Sequence, residues 1–119
     1  MVIEMNERNA PTIPIAYGSS MDYTTPTELE WNLEKSERCE QHRGFNFEYA
    51  ARVFWDPKRL TVEDKRFDYG ERRYQSTGKI DGRIFVLVYC IRGQTTRIIS
   101  ARKANKREVK RYENHAIQA

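Results

Sequence analysis

Charged side chains that suit phosphate recognition are concentrated in three segments of the second half of the chain. The first is Glu71-Arg72-Arg73-Tyr74, the second begins at Arg83, and the third runs from Arg97 to Glu108. A guanidinium group can donate two parallel hydrogen bonds to one phosphate, and glutamate or lysine can move protons beside it. If these segments are neighbouring strands, their side chains could meet on one surface that binds a polyanion.

Each of these side chains also has a structural interpretation, which the sequence leaves open. Any single arginine can be a solvated or ion-paired surface residue. Tyr74 can stack on a base or pack in the core. His42 precedes a predicted helix end, where it could be a general base, contact nucleic acid, or only interact favourably with the helix C-terminus. The predicted convergence of several arginines is therefore more informative than any one of them.

Several other kinds of site are not indicated by the sequence. It contains no P-loop, dinucleotide-binding glycine motif, nucleophile elbow or zinc signature. Cys39 and Cys90 are far apart, so neither a metal site nor a disulfide is expected, and no cofactor is predicted. Because no acidic cluster suggests a two-metal nuclease, we expect any RNA cleavage to proceed without metal, by attack of the 2′-hydroxyl on the adjacent phosphate.

The charge is distributed unevenly along the 119 residues. Residues 1–58 hold 6 Lys and Arg against 10 Asp and Glu, whereas residues 59–119 hold 15 against 7. This asymmetry favours a basic face for nucleic acid, or an acidic partner that covers it. The length predicts one domain. No apolar run approaches the ~20 residues that span a bilayer and no signal peptide is visible, so we expect a cytoplasmic protein without membrane contact.

The first half of the chain predicts an extension followed by two helices. Residues 1–28 contain Pro11, Pro14, Pro26 and the run Gly18-Ser19-Ser20, and are interpreted as a flexible N-terminal extension. A short strand or entry segment is expected at Leu29-Glu30-Trp31. Asn32 can cap a helix that runs to about Gln41 before Gly44, and Asn46 can cap a second helix that ends at Asp56-Pro57.

The second half predicts four strands and a helix. Strands are expected over 60–66, 71–77, 84–91 and 95–102, with an Asp81-Gly82 hairpin turn. A capping box of Asn105 and Glu108 predicts a basic helix to about Asn114. The fold class is therefore α+β, with two N-terminal helices on a four-stranded antiparallel meander and a C-terminal basic helix. In a regular last strand, Arg97 and Lys103 would share one face and Arg102 would lie on the other.

These segments, taken in order, resemble the BrnT toxins of bacterial type II toxin–antitoxin systems. The matching pieces are Trp31-Asn32 with Lys35, His42 and Gly44, Phe47 to Phe54 with Asp56-Pro57, Glu71 to Tyr74 with Gly78, Gly82-Arg83 with Val86 to Tyr89, and Arg97 to Ala104. The resemblance implies a RelE-like toxin domain over residues 29–114, with a C-terminal tail over 115–119. It also implies a ribonuclease that inhibits translation.

The resemblance further implies partners and site residues. The partner would be a BrnA-like antitoxin with a ribbon-helix-helix domain, operator DNA would be bound only through that antitoxin, and a dimer or heterotetramer would form. The positions expected to be catalytic are Glu71, Arg73, Arg83, Arg97 and Lys103. Arg83 and Arg97 would hold the scissile phosphate, and Glu71 or Lys103 would move a proton. The positions expected to bind RNA are Arg102, Lys106, Arg107, Tyr74 and His42. A non-catalytic nucleic-acid-binding or antitoxin-interaction module remains the alternative.

Overall fold

The computed structural model describes residues 4–5, 11–14 and 28–118, which form three α helices and one β sheet. The strands are β1 (Glu4–Met5), β2 (Pro11–Pro14), β3 (Glu28–Trp31), β4 (Leu60–Asp64), β5 (Arg73–Ile80), β6 (Arg83–Arg92) and β7 (Thr95–Lys103). The helices are α1 (Leu33–Arg43), α2 (Phe47–Ala50), which continues as a 3₁₀ helix over Ala51–Trp55, and α3 (Lys106–Gln118).

The sheet is mixed, in the order β1-β2-β3-β7-β6-β5-β4. Strands β4 to β7 form the antiparallel meander that the sequence predicts. The prediction of a purely antiparallel four-stranded sheet is wrong, because β3 pairs parallel to β7 and β2 pairs with β3. The physical reason is burial: Leu29 and Trp31 alternate along β3, and each is only 2% exposed.

The predicted N-terminal extension therefore contributes to the sheet at residues 4–5, 11–14 and 28. The expectation of a flexible arm otherwise concerns residues outside the described ranges.

Local signals account for the boundaries of α1. The Asn32 side chain accepts a hydrogen bond from the Lys35 backbone N–H at 3.0 Å. Gly44 has φ 85° and donates its N–H to the Glu40 carbonyl. The predicted capping residues are confirmed, although the helix continues to Arg43 rather than to Gln41.

The second helix is shorter than the sequence predicts. Asn46 caps it by accepting from the Tyr49 N–H at 2.8 Å, but the α-helix ends at Ala50 and a 3₁₀ turn follows. Val53 of that turn packs closely on β5 at Gly78. A Cβ at Gly78 would lie 2.9 Å from Val53 Cγ1 and 3.2 Å from the Val53 carbonyl oxygen, so this contact requires glycine.

The core lies between α1, α2 and one face of the sheet. Phe85, Leu87 and Tyr89 alternate along β6 and point to the helices, where they join buried residues such as Phe47 and Phe54. The opposite face is lined by the other set of alternating residues. That second face carries the site.

A bulge in β7 changes which side chains reach that second face. Val88 pairs with Ser100 and Tyr89 pairs with Ile98, so Ile99 is an extra residue in β7. As a result Arg97 and Arg102 lie on the same face of the sheet. The prediction that Arg97 and Lys103 share a face is wrong, because Lys103 pairs with the core residue Phe85.

Helix α3 begins with the predicted capping box and extends farther than expected. Glu108 N–H donates to Asn105 Oδ1 at 2.8 Å, and Asn105 N–H donates to Glu108 Oε1 at 3.0 Å. The helix continues to Gln118, so residues 115–118 of the predicted tail are helical. Tyr112 is buried and donates its hydroxyl to Asp56 Oδ2 at 2.5 Å, which holds α3 against the loop that follows the 3₁₀ turn.

Candidate functional site

A row of charged residues crosses the sheet on the face away from α1 and α2. In register, Asp64 lies beside Arg73, Arg73 beside Cys90, Cys90 beside Arg97, and Arg97 beside Glu30. Neighbouring strands are about 4.8 Å apart, so Arg73 and Arg97 are about 10 Å apart at their backbones. Cys90 is buried between them.

Five arginines belong to this surface, which we call the arginine face. Each has a carboxylate partner in the same chain. The pairs are Arg66–Asp64, Arg73–Glu71 at 3.5 Å, Arg92–Glu71 at 3.3 Å, Arg97–Glu30 at 3.2 Å and Arg102–Glu108 at 2.6 Å. The arginine face is therefore a network of ion pairs rather than a surface of unpaired positive charge.

Two of these arginines are held more firmly than the others. Arg66 donates from Nε and Nη2 to the two oxygens of Asp64, both at 2.9 Å. Arg102 donates from Nη1 and Nη2 to the two oxygens of Glu108, at 2.6 and 2.8 Å. Such two-pronged contacts are the strong form of the interaction. They leave Arg73, Arg92 and Arg97, whose contacts are longer, as the arginines better able to change partner.

The carboxylates of the bidentate pairs are ionised more easily than usual. Hydrogen bonding from Arg66 lowers the pKa of Asp64 despite the cost of burying its carboxylate. Hydrogen bonding from Arg102 likewise lowers the pKa of Glu108. Because Glu108 belongs to α3, its contact with Arg102 fixes the start of this helix over the arginine face.

Glu71 is the carboxylate that lies between two of the arginines with longer contacts. It is half-buried and contacts both Arg73 and Arg92. Burial tends to raise its pKa, but a hydrogen bond with Cys90 and the charges of Arg92 and Arg73 outweigh this, so the pKa is lowered. The Cys90 thiol itself has a raised pKa, first because it is buried and then because Glu71 is adjacent.

Tyr69 holds Arg73 in place from the loop between β4 and β5. The Arg73 guanidinium lies 4.0 Å from the centre of the Tyr69 ring, and the Tyr69 hydroxyl donates to Asp64 Oδ2 at 3.3 Å. Within the described part of the chain, Arg73 Nε is buried without a hydrogen-bond partner, since its 3.5 Å approach to Glu71 is an ion pair only. Arg73 thus keeps unsatisfied donor capacity next to the site.

Arg83 and Lys103 lie elsewhere. Arg83 pairs with Ile80, and Lys103 pairs with Phe85; both partners are core residues on the helix-facing side. The two cations line a cleft with Arg43 and other residues near the α1–α2 connection. The predicted meeting of Arg83 and Arg97 is therefore wrong, because their positions have opposite orientations in the sheet.

The residues expected to bind RNA are also dispersed. Tyr74 is stacked on Tyr89, with ring centres 5.9 Å apart, and packs against the core. His42 is exposed at the end of α1 and lines a cleft with Lys35, Arg38 and other residues beside the β7 bulge. Lys106 and Arg107 are exposed in the first turn of α3. Of the predicted set, the arginine face contains Glu71, Arg73, Arg97 and Arg102.

Sequence reasoning missed several residues of the face. The strand predicted over 84–91 ends one residue before Arg92, although Arg92 continues the alternation of Val88 and Cys90 along β6. Arg66 lies beyond β4, which ends at Asp64 rather than at Arg66, and the turn indicated by Asp68-Tyr69-Gly70 does not by itself predict that Tyr69 contacts Arg73. Glu30 reaches Arg97 only because β3 joins the sheet.

Two further observations concern other kinds of function. Within the described ranges, no cluster of three or more His, Cys, Asp or Glu side chains could hold a metal ion. Among the helices of those ranges, none has the length and apolar character needed to cross a membrane.

Comparison with known families decides the class of protein. A family model described as "Ribonuclease toxin, BrnT, of type II toxin-antitoxin system" matches residues 31–108, which is well over half of the chain. The chain belongs to the BrnT family of ribonuclease toxins. This confirms the resemblance found in the sequence. A search of curated proteins finds no match.

Membership gives the arginine face a chemical context. A type II toxin of the BrnT family implies RNA as the substrate and an antitoxin as the partner. All five arginines of the face, and Glu71, lie within the matched residues. The match does not extend over α3 beyond Glu108, which is the residue that anchors this helix to Arg102.

Proposed function

We propose that this BrnT-family chain is a metal-independent endoribonuclease that cleaves RNA on its arginine face and thereby inhibits translation in the cytoplasm. The observation that supports this most directly is the row in which Arg73 and Arg97 flank Cys90, with Glu71 beside them. Two guanidinium groups at this separation can approach one phosphodiester from both sides.

The proposed reaction is an attack of the 2′-oxygen on the adjacent phosphorus. Arg73 and Arg97 donate hydrogen bonds to the non-bridging oxygens, where negative charge increases in the transition state. Glu71 accepts the proton of the 2′-hydroxyl. The bond from phosphorus to the 5′-oxygen breaks, this oxygen takes a proton from solvent, and a 2′,3′-cyclic phosphate forms.

The network of ion pairs has two opposite effects on the proposed reaction: it positions the arginines, and it competes with the phosphate for them. Carboxylate partners hold the arginines in position before substrate arrives, which avoids reorganisation during the reaction. The same partners compete with the phosphate, so RNA must displace contacts such as Arg97–Glu30. The lowered pKa of Glu71 keeps its carboxylate ionised at neutral pH, as the role of base requires, and also makes this carboxylate a weaker base.

The structure leads us to revise the roles inferred from the resemblance. We assign phosphate binding to Arg73 and Arg97, with Arg92 at a neighbouring phosphate, and assign no catalytic role to Arg83 or Lys103. Arg102 is a positioning residue, which holds α3 through Glu108.

Binding functions are proposed for the exposed positions outside the face. Lys106, Arg107 and His42 are proposed to contact RNA that flanks the cleavage site. A BrnA-like antitoxin with a ribbon-helix-helix domain is the proposed partner, and operator DNA is contacted through that antitoxin.

The test is RNA cleavage by the purified chain in the presence of EDTA. Cleavage is expected to continue with EDTA and to fall about 100-fold in Arg73→Ala and Arg97→Ala, as when a transition-state donor is removed. Arg83→Ala and Lys103→Ala are matched controls, since they remove one positive charge from the opposite side of the sheet. Thermal unfolding of each variant checks that the loss is not a loss of fold.

Three outcomes contradict the proposal. Loss of cleavage in EDTA that is restored by a divalent metal would exclude the metal-independent mechanism. Equal loss in Arg83→Ala and Arg97→Ala would exclude the assignment to the arginine face. RNA binding without cleavage in the unaltered chain would instead favour the alternative, a non-catalytic nucleic-acid-binding module.

A further inference from the structure

Phe67 is a large apolar side chain that points into solvent beside the arginine face. It lies in the loop between β4 and β5 and is 69% exposed. The rings of Phe67 and Tyr69 form a T-shaped pair, with their centres 5.8 Å apart and an angle of 73° between their planes. An isolated exposed phenylalanine needs no explanation by itself, but this one is joined to the proposed phosphate site.

Phe67 is connected to the proposed phosphate site through Tyr69. Phe67 contacts Tyr69, and Tyr69 lies 4.0 Å from the guanidinium of Arg73. The distance from the Phe67 ring centre to the Arg73 guanidinium therefore cannot exceed the sum of the Phe67–Tyr69 and Tyr69–Arg73 distances. In a nucleic acid, a phosphate lies at a comparable distance from the base of its own nucleotide or of the next nucleotide.

The loop around Phe67 is held on both sides. Before it, Arg66 is fixed by two hydrogen bonds to the buried carboxylate of Asp64. After it, Asp68 accepts from the Gly70 N–H at 3.0 Å, and Gly70 has the positive φ of 72° that this turn requires. The Phe67 ring is thus presented from an anchored loop, which lowers the entropy lost when it binds a flat ligand.

We infer that Phe67 is a base-stacking residue, which binds an unpaired nucleobase next to the phosphate held by Arg73 and Arg97. This inference rests on the proposed function of the arginine face and extends it to substrate selection. An exposed aromatic face with cations beside it is the arrangement that binds single-stranded nucleic acid, and each stacked base contributes a measurable part of the affinity. Base-paired RNA keeps its bases stacked on each other, so Phe67 selects unpaired segments.

The experiment measures binding of a short single-stranded RNA with 2′-O-methyl groups, which prevent the attack and keep the RNA intact. The unaltered chain is compared with Phe67→Leu, which retains an apolar side chain but has no ring, and with Phe67→Tyr, which retains the ring. Ile91 is also an exposed apolar residue but lies on β6, so Ile91→Ala is the control for a general loss of apolar surface. Phe67→Leu is expected to weaken binding about 5-fold to 100-fold, and Phe67→Tyr to bind as the unaltered chain does.

A second arm replaces the base of one nucleotide at a time with an abasic site. At one position, the loss of the base is expected to weaken binding by the unaltered chain but not by Phe67→Leu, since the two changes remove the same contact. Equal affinity of Phe67→Leu and the unaltered chain would overturn the inference. A loss in Phe67→Leu that is the same at every abasic position would also overturn it, because the lost contact would then not be with one particular base.

The inference and the proposed function can fail separately. Absence of RNA cleavage by the unaltered chain contradicts the proposed function, whereas binding of 2′-O-methyl RNA does not depend on cleavage. A chain that cleaves RNA but shows no coupling between Phe67 and any base retains the proposed function and refutes the stacking role.

Discussion

The salt dependence of RNA binding follows from how the arginines of the face are paired. Arg66 and Arg102 are held by two-pronged hydrogen bonds, so we expect them to keep their carboxylates. Arg73, Arg92 and Arg97 lie 3.2 to 3.5 Å from their carboxylate partners and are expected to exchange these partners for phosphates. The structure therefore predicts three phosphate contacts on this face.

For an RNA that contacts only the arginine face, three contacts correspond to a slope of about −2 in a plot of log affinity against log salt, since each phosphate neutralised on a single strand contributes about −0.7. Raising the salt from about 50 to 200 mM should then weaken binding about 20-fold. Arg97→Ala should reduce the steepness of the slope by about 0.7. Arg83→Ala, which makes the same change in net charge on the other side of the sheet, should leave the slope unchanged.

Fluorescence anisotropy of a labelled 2′-O-methyl RNA, titrated at several salt concentrations, measures this slope directly. An equal reduction in Arg97→Ala and Arg83→Ala would mean that binding reports net charge rather than a defined face. An unchanged slope in Arg97→Ala would show that Glu30 keeps Arg97 when RNA binds, and would refute the exchange of partners.

Three other predictions concern pH and stability. As the pH is lowered, kcat/KM for RNA cleavage should begin to fall only below pH 4.5, the ordinary pKa of glutamate, because the pKa of Glu71 is lowered. A fall in kcat/KM centred above that pH would exclude Glu71 as the base. Glu108→Gln should lower the free energy of unfolding by about 1 kcal/mol at neutral pH, a modest value because Arg102 is partly exposed. Since the folded pKa of Glu108 is lowered, its contribution is present above the unfolded pKa and is lost as pH falls through the folded pKa, so the difference in urea unfolding between the two proteins should disappear in acid. Gly78→Ala should cost about 1–3 kcal/mol by overpacking against Val53; the cost should be smaller in a Val53→Ala background, and an equal cost there would contradict the close contact.

Much of the local structure could be predicted from the sequence because its causes are local. Asn32 and Gly44 bound α1 through contacts within a few residues, and Asp81 and Gly82 adopt the positive φ values of a tight hairpin turn. The capping box of α3 is likewise formed by residues three positions apart. Family membership also follows from the sequence, since it depends on the order of motifs and not on their contacts.

The composition of the site depended on the tertiary structure. One extra residue, Ile99, reverses the alternation in β7, so that Arg102 rather than Lys103 shares a face with Arg97. Periodicity cannot reveal this bulge, because it arises from how β7 pairs with β6. Glu30 and Arg97 are 67 positions apart and meet only because β3 pairs parallel to β7. The sequence by itself determined the helices, the four strands of the meander and the family to which the chain belongs, whereas strand pairing decided which charges lie together.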